Sequence, residues 1–308
     1  MFKYVLKRLG MAILTIFVTI TITFFLMNAV PGNPFAAERQ ANEAAMKSLN
    51  QKYGLDLPIT KQYVNYLKNL TKGDFGVSLS CYKDTPVSTL IKEKFPTSAK
   101  LGFCAVLVAF FIGIPLGCIS AFHNKKAPDN IIRVFSTIGI AVPGFVVATL
   151  LMSVFACTFK IAPVLYDMDN FASAILPIIT LSLYPTCYII RLMRSSMLDA
   201  MGQDYIRTAK AKGMSDGVII FKHALRNSII PIITYMGPMI AGVLTGGFVV
   251  ESIFAIPGLG ATFVNSINSR DYNIIMGTTL FLATLVIVMN LICDILYKIV
   301  DPRINLEK

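Results

Sequence analysis

The side chains best suited to chemistry are few and scattered along this sequence. Its two histidines, His123 and His223, are a hundred residues apart, and its six cysteines include no C-x-x-C pair. No H-E-x-x-H, G-x-S-x-G or G-x-x-x-x-G-K-[ST] stretch occurs, so zinc-peptidase, serine-hydrolase and P-loop ATPase chemistry have no recognisable site. We therefore expect no catalytic residue, no bound metal and no cofactor in this chain.

A cationic segment offers a different kind of chemistry, namely docking to another molecule. This basic segment, residues 204–231, reads DYIRTAKAKGMSDGVIIFKHALRNSIIP and is flanked by apolar runs. We predict that Asp204 caps a helix over 205–212, that Gly213 ends it, and that Ser215 caps a second helix from about residue 216. The second helix is expected to have an apolar stripe and a basic face. The stripe contains Val218, Phe221, Ala224 and Leu225, and the basic face contains Lys222, His223 and Arg226.

The basic segment has two interpretations. It is either a helix–turn–helix unit that docks on a protein partner, or a basic amphipathic segment that lies on anionic lipid. Met214, at the tip of the turn, suits an adaptable apolar contact. A helix that lies on lipid has no need of a sharp glycine turn with an apolar tip, but the residues alone leave both interpretations open.

The apolar runs indicate a membrane protein. Charged residues make up 15% of the chain, against about 25% in soluble domains. A transmembrane helix needs about 20 apolar residues, and six uncharged windows reach that length. The first is longer than the apolar core of a signal peptide, so we expect a retained helix. The predicted fold is an all-α polytopic membrane protein with six transmembrane helices. They are expected within 1–30 and at about 101–122, 134–159, 171–190, 228–250 and 272–293, the last five within a core over 99–300.

The distribution of Lys and Arg orients these helices. With the N-terminus in the cytoplasm, the two short outer loops hold only Lys160 and Arg270, whereas the loop 194–227 is strongly basic and cytoplasmic. This is the positive-inside asymmetry of membrane proteins. Both termini, including the tail 301–308, are therefore expected in the cytoplasm. Residues 31–98 form a long extracytoplasmic segment, which the rule largely exempts.

Within the outer segment, spacing and breaker residues predict local structure. Residues 36–52 are rich in Ala, Glu and Lys, and 59–70 place apolar residues at helical spacing, so both are predicted helices. A turn is expected at 73–76. A short helix is expected over 86–94, ended by Pro96.

Proline and glycine are frequent in the later windows. They either allow close helix packing or make the helices bendable along a transport path. Gly113–Gly117 and Gly242–Gly246 fit the small-xxx-small packing pattern. Glu251, which follows the fifth predicted transmembrane helix, is either solvated at the membrane surface or part of the path. The candidate path or gate residues are Pro143, Gly144, Pro231, Gly242, Gly246 and Glu251.

The basic segment resembles the EAA loop of permease subunits of bacterial ABC importers of the dipeptide/oligopeptide class. The general pattern of that loop is Glu-Ala-Ala-x-x-x-Gly. Here Arg207-Thr208-Ala209 occupies its first three positions and Gly213 its glycine, a departure similar to the peptide-permease version. Further similar stretches cover nearly the whole chain. They are Tyr4–Leu9, PGNP at 31–34, YGLD at 53–56, GDFG at 73–76, HALRN at 223–227 leading to Pro231, ESIFAIPGLG at 251–260 and DPR at 301–303.

The resemblance implies a "B"-type permease in the bacterial plasma (inner) membrane. Its implied partners are a homologous second permease, two ABC ATPase subunits that carry ATP and Mg, an extracytoplasmic solute-binding protein, membrane lipid and a peptide substrate, with no nucleic acid. The basic loop would form a coupling helix that docks in a groove on an ATPase. The residues expected in this ATPase-coupling loop are Asp204, Tyr205, Arg207, Thr208, Ala209, Lys210, Gly213, Met214, Ser215, His223, Arg226 and Asn227.

The sequence leaves other functions open. The same architecture could import nickel or glutathione, although the windows lack the His, Asp and Glu ligands that favour a metal. A stand-alone secondary transporter usually buries an ionisable residue in a span, and the window interiors have none; sodium coupling through carbonyls and hydroxyls stays open. A membrane enzyme or anchor predicts a polar constellation, which the sequence does not contain.

Overall fold

The computed structural model describes residues 2–29, 43–244 and 247–300, and these residues are almost entirely helical. The PGNP stretch at 31–34, the first part of the helix predicted over 36–52, Gly246 and the tail 301–308 lie outside the described residues. The helices are α1 (Phe2–Ala29), α2 (Glu43–Tyr53), α3 (Ile59–Leu70), α4 (Val87–Phe122), α5 (Ala127–Ala141), α6 (Gly144–Leu151), α7 (Ala172–Met201), α8 (Asp204–Ala211), α9 (Asp216–Val218), α10 (Leu225–Ser228), α11 (Ile230–Leu244), α12 (Phe248–Ile253), α13 (Leu259–Asn268) and α14 (Tyr272–Val300). Two π-helices, Met152–Thr158 and Ile219–Ala224, continue α6 and α9.

Five stretches of the described chain are long and apolar enough to cross a membrane, and a bent helix pair raises the number to six. The bent pair is Ala127–Ala141 with Gly144–Thr158, which meet at 103°. The helix predicted at about 134–159 is therefore not one continuous helix but two that meet at Pro143. Pro143 fixes its own backbone and disfavours helical geometry at the residue before it, so the chain turns there. The all-helical, polytopic fold class is confirmed.

A second difference concerns Pro96. The short helix predicted to stop before this proline instead continues through it, and α4 is one helix of 36 residues from Val87 to Phe122. An interior proline removes one backbone hydrogen bond and strains the turn before it. The long apolar run that follows offsets this local cost, so the helix persists.

One compact unit comprises Met1–Thr97 and Pro257–Ile287. In it, α3 packs Tyr63, Tyr66, Leu67 and Leu70 against a buried cluster that includes Phe24 of α1. The apolar face expected from the helical spacing over 59–70 is therefore confirmed. The phenol oxygen of Tyr63 also lies 2.7 Å from a threonine hydroxyl of α1, so the contact is both apolar and polar.

A buried carboxylate fixes the loop before α4 in the same unit. Asp271 is 0% exposed, and its Oδ2 accepts hydrogen bonds from the Ser78 hydroxyl at 2.6 Å and from the backbone N–H groups of Leu79 and Ser80, each at 2.9 Å. Hydrogen bonds to an ionised group contribute about 1.5–3 kcal/mol each. The carboxylate thus joins the 78–81 loop to the start of α14.

The other compact unit comprises Ser98–Ile256 and Val288–Lys308. Its helices α4 and α7 approach closely where α4 has glycine. A Cβ at Gly117 would lie 2.6 Å from the Cβ of Met193, and one at Gly113 would lie 2.9 Å from a side-chain carbon of Ile189. The tight packing predicted for Gly113–Gly117 is confirmed. At Gly242 no described atom lies within 4 Å of such a Cβ, so the described helices do not pack closely there, and Gly246 lies outside the described residues.

Candidate functional site

The basic segment folds as a short helix, a glycine turn and a second helical stretch. Gly213 has a φ of +74°, and its N–H donates to the carbonyl of Lys210 at 2.9 Å. The Met214 N–H donates to the carbonyl of Ala209 at 3.3 Å, which closes the end of α8. The second helix begins at Asp216, directly after Ser215. The predicted turn at the glycine is confirmed.

The predicted role of Asp204 as a helix cap is wrong. The residue before it, Gln203, occupies the cap position without a side-chain hydrogen bond, and Asp204 is the first residue of α8. There its carboxylate still faces the positive end of the helix dipole. It lies 3.4 Å from the Arg207 guanidinium, but both side chains are exposed, and such pairs contribute about 1 kcal/mol at most.

Small apolar side chains anchor the segment to the body of the second unit. Ile206 and Ala209 of α8 are buried in the same cluster as Met197 and Ala200 at the end of α7. The hydroxyl of Ser228 donates to the carbonyl of residue 196, again on α7. The basic segment is therefore packed against α7. Ile206 and Ser228 were not identified from the sequence.

The π-helix changes which face of the second helix is buried. Ile219 and Ala224, five residues apart, are 2% and 0% exposed, whereas Val218 is 43% and Phe221 73% exposed. The apolar stripe predicted from α-helical spacing is therefore wrong for these two exposed residues. A π-helix bonds residue i to i+5, so buried positions recur at five and not at three or four. The π-helix also leaves the Nε2 atom of His223 buried without a hydrogen-bond partner among the described residues.

The exposed surface of the segment combines apolar tips with cations. Tyr205 is 38% and Met214 39% exposed, at the start of α8 and at the turn. Together with Val218 and Phe221 they form what we call the apolar tip set. The surrounding predicted coupling residues are also exposed. They are Arg207, Thr208, Lys210, Ser215, Arg226 and Asn227.

A buried ion pair, missed by the sequence analysis, ties together three helices. Asp129 of α5 is 0% exposed and receives the Arg194 guanidinium through two bonds, Nε to Oδ1 at 2.7 Å and Nη2 to Oδ2 at 2.8 Å. The Ser120 hydroxyl of α4 donates to Oδ1 at 2.6 Å, and the Lys125 N–H donates to Oδ2 at 2.8 Å. The carboxylate is thus satisfied on both oxygens.

The candidate path residues fall in different surroundings. Pro143 and Gly144 form the bend between α5 and α6, and both are exposed. Pro231 is the second residue of α11 and is partly buried. Glu251 is 1% exposed and accepts a 2.6 Å hydrogen bond from the hydroxyl of Ser98, so it is not a solvated surface acid.

Comparison with protein-family models gives two matches. Residues 113–306 match the model described as "Binding-protein-dependent transport system inner membrane component". Residues 1–102 match the model of the N-terminal part of such membrane components. Together these matches cover nearly all of the chain.

Comparison with known proteins agrees with the family models. The chain is 44% identical over 308 residues to the dipeptide transport system permease protein DppB of Bacillus subtilis, covering 100% of this chain and 99% of that one. It is 43% identical over 306 residues to the oligopeptide transport system permease protein OppB of Haemophilus influenzae, covering 99% and 100%. An inward-facing structure of the MetNI methionine ABC transporter superposes with a TM-score of 0.55 at 14% identity, covering 69% of this chain and 97% of that one. At this identity the likeness shows a shared fold alone.

Proposed function

The chain belongs to the family of inner-membrane components of binding-protein-dependent transport systems, and we propose that it is the translocation subunit of an ATP-driven importer of peptides. Members of this family are multi-pass ABC permease subunits. They are not themselves catalytic, carry no cofactor and act with ATPase subunits and a binding protein. The observation that carries the substrate class is the full-length similarity to permeases named for dipeptides and oligopeptides.

The proposed orientation follows the positive-inside rule. Both termini and the basic segment face the cytoplasm, and residues 31–98 lie outside, where the binding protein delivers its ligand. The specific assembly proposed is one copy of this chain, a homologous second permease and two ATPases. The apolar tip set and the surrounding cations of the basic segment support an acidic, partly apolar groove on the ATPase as its docking site.

Coupling is proposed to run through the anchors of the basic segment. ATP binding closes the two ATPases and moves the docked segments. Because Ile206 and Ile219 are buried against α7, this movement shifts α7 and favours one of two states of the bundle, inward-facing or outward-facing. Pro143 and Gly144 support a bend that opens and closes, while Pro231, Gly242, Gly246 and Glu251 stay proposals for the path or gate.

The turn at Gly213 provides a test of this coupling. Alanine at a φ of +74° is strained by about 1–2 kcal/mol, which tilts the turn without touching the bundle. Gly217 is the matched control, because its backbone has no positive φ and no described atom lies within 4 Å of an added Cβ. We expect Gly213→Ala to lower peptide uptake per ATP hydrolysed and Gly217→Ala to leave it unchanged. Equal coupling ratios in the two variants would refute the docking role.

The substrate class is tested by uptake in the native cell. The gene is deleted and then restored, and uptake of a labelled tripeptide, labelled glutathione and labelled nickel is measured in parallel. We expect tripeptide uptake to be lost and restored while nickel uptake stays constant. Loss of nickel or glutathione uptake with unchanged tripeptide uptake would keep the ABC architecture and refute the peptide assignment. Among the described residues, no group of three His, Cys, Asp or Glu side chains could hold a metal ion.

A further inference from the structure

Three tyrosines form a continuous stack across α7 and α11. Tyr184 and Tyr188 lie one turn apart on α7, with ring centroids 6.3 Å apart and planes 25° apart. Tyr235 of α11 extends the stack, with its ring centroid 4.3 Å from that of Tyr188. Both helices lie in candidate membrane spans, Ala172–Met201 and Ile230–Ile253. We call this set the tyrosine ladder.

One end of the tyrosine ladder is exposed, and the other end packs against the protein core. Tyr184 is 50% exposed, whereas Tyr188 and Tyr235 are partly buried, and Tyr235 packs against the core cluster of the second unit. The three phenol hydroxyls have no hydrogen-bond partner among the described residues, yet those of Tyr188 and Tyr235 are not sealed from the surface. The tyrosine ladder therefore offers hydroxyl donors that a bound molecule could satisfy with its own acceptors.

Lipid tails are a poor occupant for such a surface. A hydroxyl in hydrocarbon without a partner is costly, and the ladder places three of them together. Single tyrosines do anchor at the membrane interface, where each ring points to the headgroups. Here the rings instead stack on one another and lead into the protein core.

The neighbouring backbone adds an acceptor to these donors. Pro185 follows Tyr184 and has no N–H, so the carbonyl of Leu181, four residues before it, lacks its usual helical partner. Position 181 lies on the same helix face as 184 and 188. One strip of α7 thus offers hydroxyl donors, a carbonyl acceptor and aromatic faces, all uncharged at neutral pH.

A peptide in transit has the complementary chemistry. Its backbone carries carbonyl acceptors and N–H donors at regular spacing, and its side chains include apolar groups that pack on rings. We propose that the tyrosine ladder is a substrate-contact surface of the translocation path, which binds the peptide backbone and is indifferent to the charge of its side chains. This proposal rests on the proposed peptide import function.

The test removes the hydroxyls and keeps the rings. Tyr184→Phe, Tyr188→Phe and Tyr235→Phe are made in the full importer complex, and initial uptake of labelled tripeptides with a central Ala, Asp or Lys is measured against concentration. One net hydrogen bond contributes about 0.5–1.5 kcal/mol, so each variant should lower uptake at low substrate about two- to tenfold. The fold-loss should be the same for the three peptides. Phe111→Ala is the control, since Phe111 of α4 is 76% exposed and belongs to no ring pair of the described residues.

Two outcomes would overturn the ladder's role while peptide import stands. The first is wild-type uptake in all three Phe variants, and the second is a loss confined to one charge class of peptide. Failure of the wild-type complex to import any tripeptide would instead refute the proposed function.

A photoreactive phenylalanine analogue at position 184 identifies the occupant directly. We expect it to crosslink to labelled tripeptide during ATP-driven uptake, and the same analogue at position 111 to crosslink to lipid. Crosslinks at 184 to lipid alone, or to the second permease alone, would assign the ladder to the membrane belt or to the subunit interface and overturn the proposal.

Discussion

The buried pair Asp129–Arg194 allows a quantitative prediction. The Arg194 guanidinium makes two charge-assisted hydrogen bonds to a carboxylate that is 0% exposed. At about 1.5–3 kcal/mol per bond, and with an unpaired buried charge left behind, Arg194→Met should lower the free energy of unfolding by about 3–5 kcal/mol. The double variant Asp129→Asn/Arg194→Met removes the charge as well. It should therefore lose only about 1–2 kcal/mol, from imperfect bonds to Ser120 and the Lys125 N–H.

The assay is thermal unfolding of the purified complexes in detergent, compared across the single and double variants. A loss of 3–5 kcal/mol corresponds to a fall in melting temperature of about 10 °C, and the double variant should recover most of it. The matched control is the exposed pair Asp204–Arg207, with atoms 3.4 Å apart, where Arg207→Met should shift the melting temperature little. If the double variant is no more stable than Arg194→Met, or if Arg207→Met is equally damaging, the reasoning is refuted.

Three further predictions concern packing, a buried acid and pH. Gly117→Ala places a Cβ 2.6 Å from a side-chain carbon of α7 and should cost about 1–3 kcal/mol of unfolding free energy, whereas Gly242→Ala, in open space, should be tolerated in the same melting assay. Asp271→Asn replaces the acceptor of several donors of the 78–81 loop and should make that loop more susceptible to limited proteolysis; an unchanged cleavage rate would contradict this. Hydrogen bonding to Lys52 lowers the pKa of Asp84, so the pair stabilises the fold at neutral pH. This contribution is lost as the pH falls through the lowered pKa. Asp84→Asn should therefore remove this part of the pH dependence when unfolding is followed on acidification.

The element types were predictable because hydropathy and helical spacing act locally. Runs of about 20 uncharged residues located the spans, the apolar spacing over 59–70 located α3, and a glycine after a basic helix located the turn at Gly213. Whether an apolar window forms one straight helix or two helices at an angle was not predictable in this way. Hydropathy measures composition, so the 103° bend at Pro143 was invisible to it, and the helix that continues through Pro96 contradicted a local rule that tertiary packing overrides.

The contacts that build the site depend on residues far apart in sequence. Asp129 and Arg194 are separated by 65 positions, and no local sequence pattern indicates that they form a pair. Glu251 accepts a hydrogen bond from Ser98, 153 positions away. Because this partner is so distant in sequence, the local pattern around Glu251 did not indicate that it is buried. The π-helix at Ile219–Ala224 shifts the buried face by one residue, and nothing in α-helical spacing anticipates that shift.

Glu251 also gives the stand-alone transporter its best remaining argument, because a buried carboxylate in a candidate span is what a proton-coupled transporter requires. Uptake of labelled tripeptide into sealed proteoliposomes separates the two mechanisms most directly. The chain is reconstituted alone under a proton gradient, and with its second permease, ATPases and binding protein in the presence of ATP. We expect uptake only from the full complex, only with ATP, and undiminished when the gradient is collapsed. Gradient-driven uptake by the chain alone would contradict its assignment as a subunit of an ATP-driven importer.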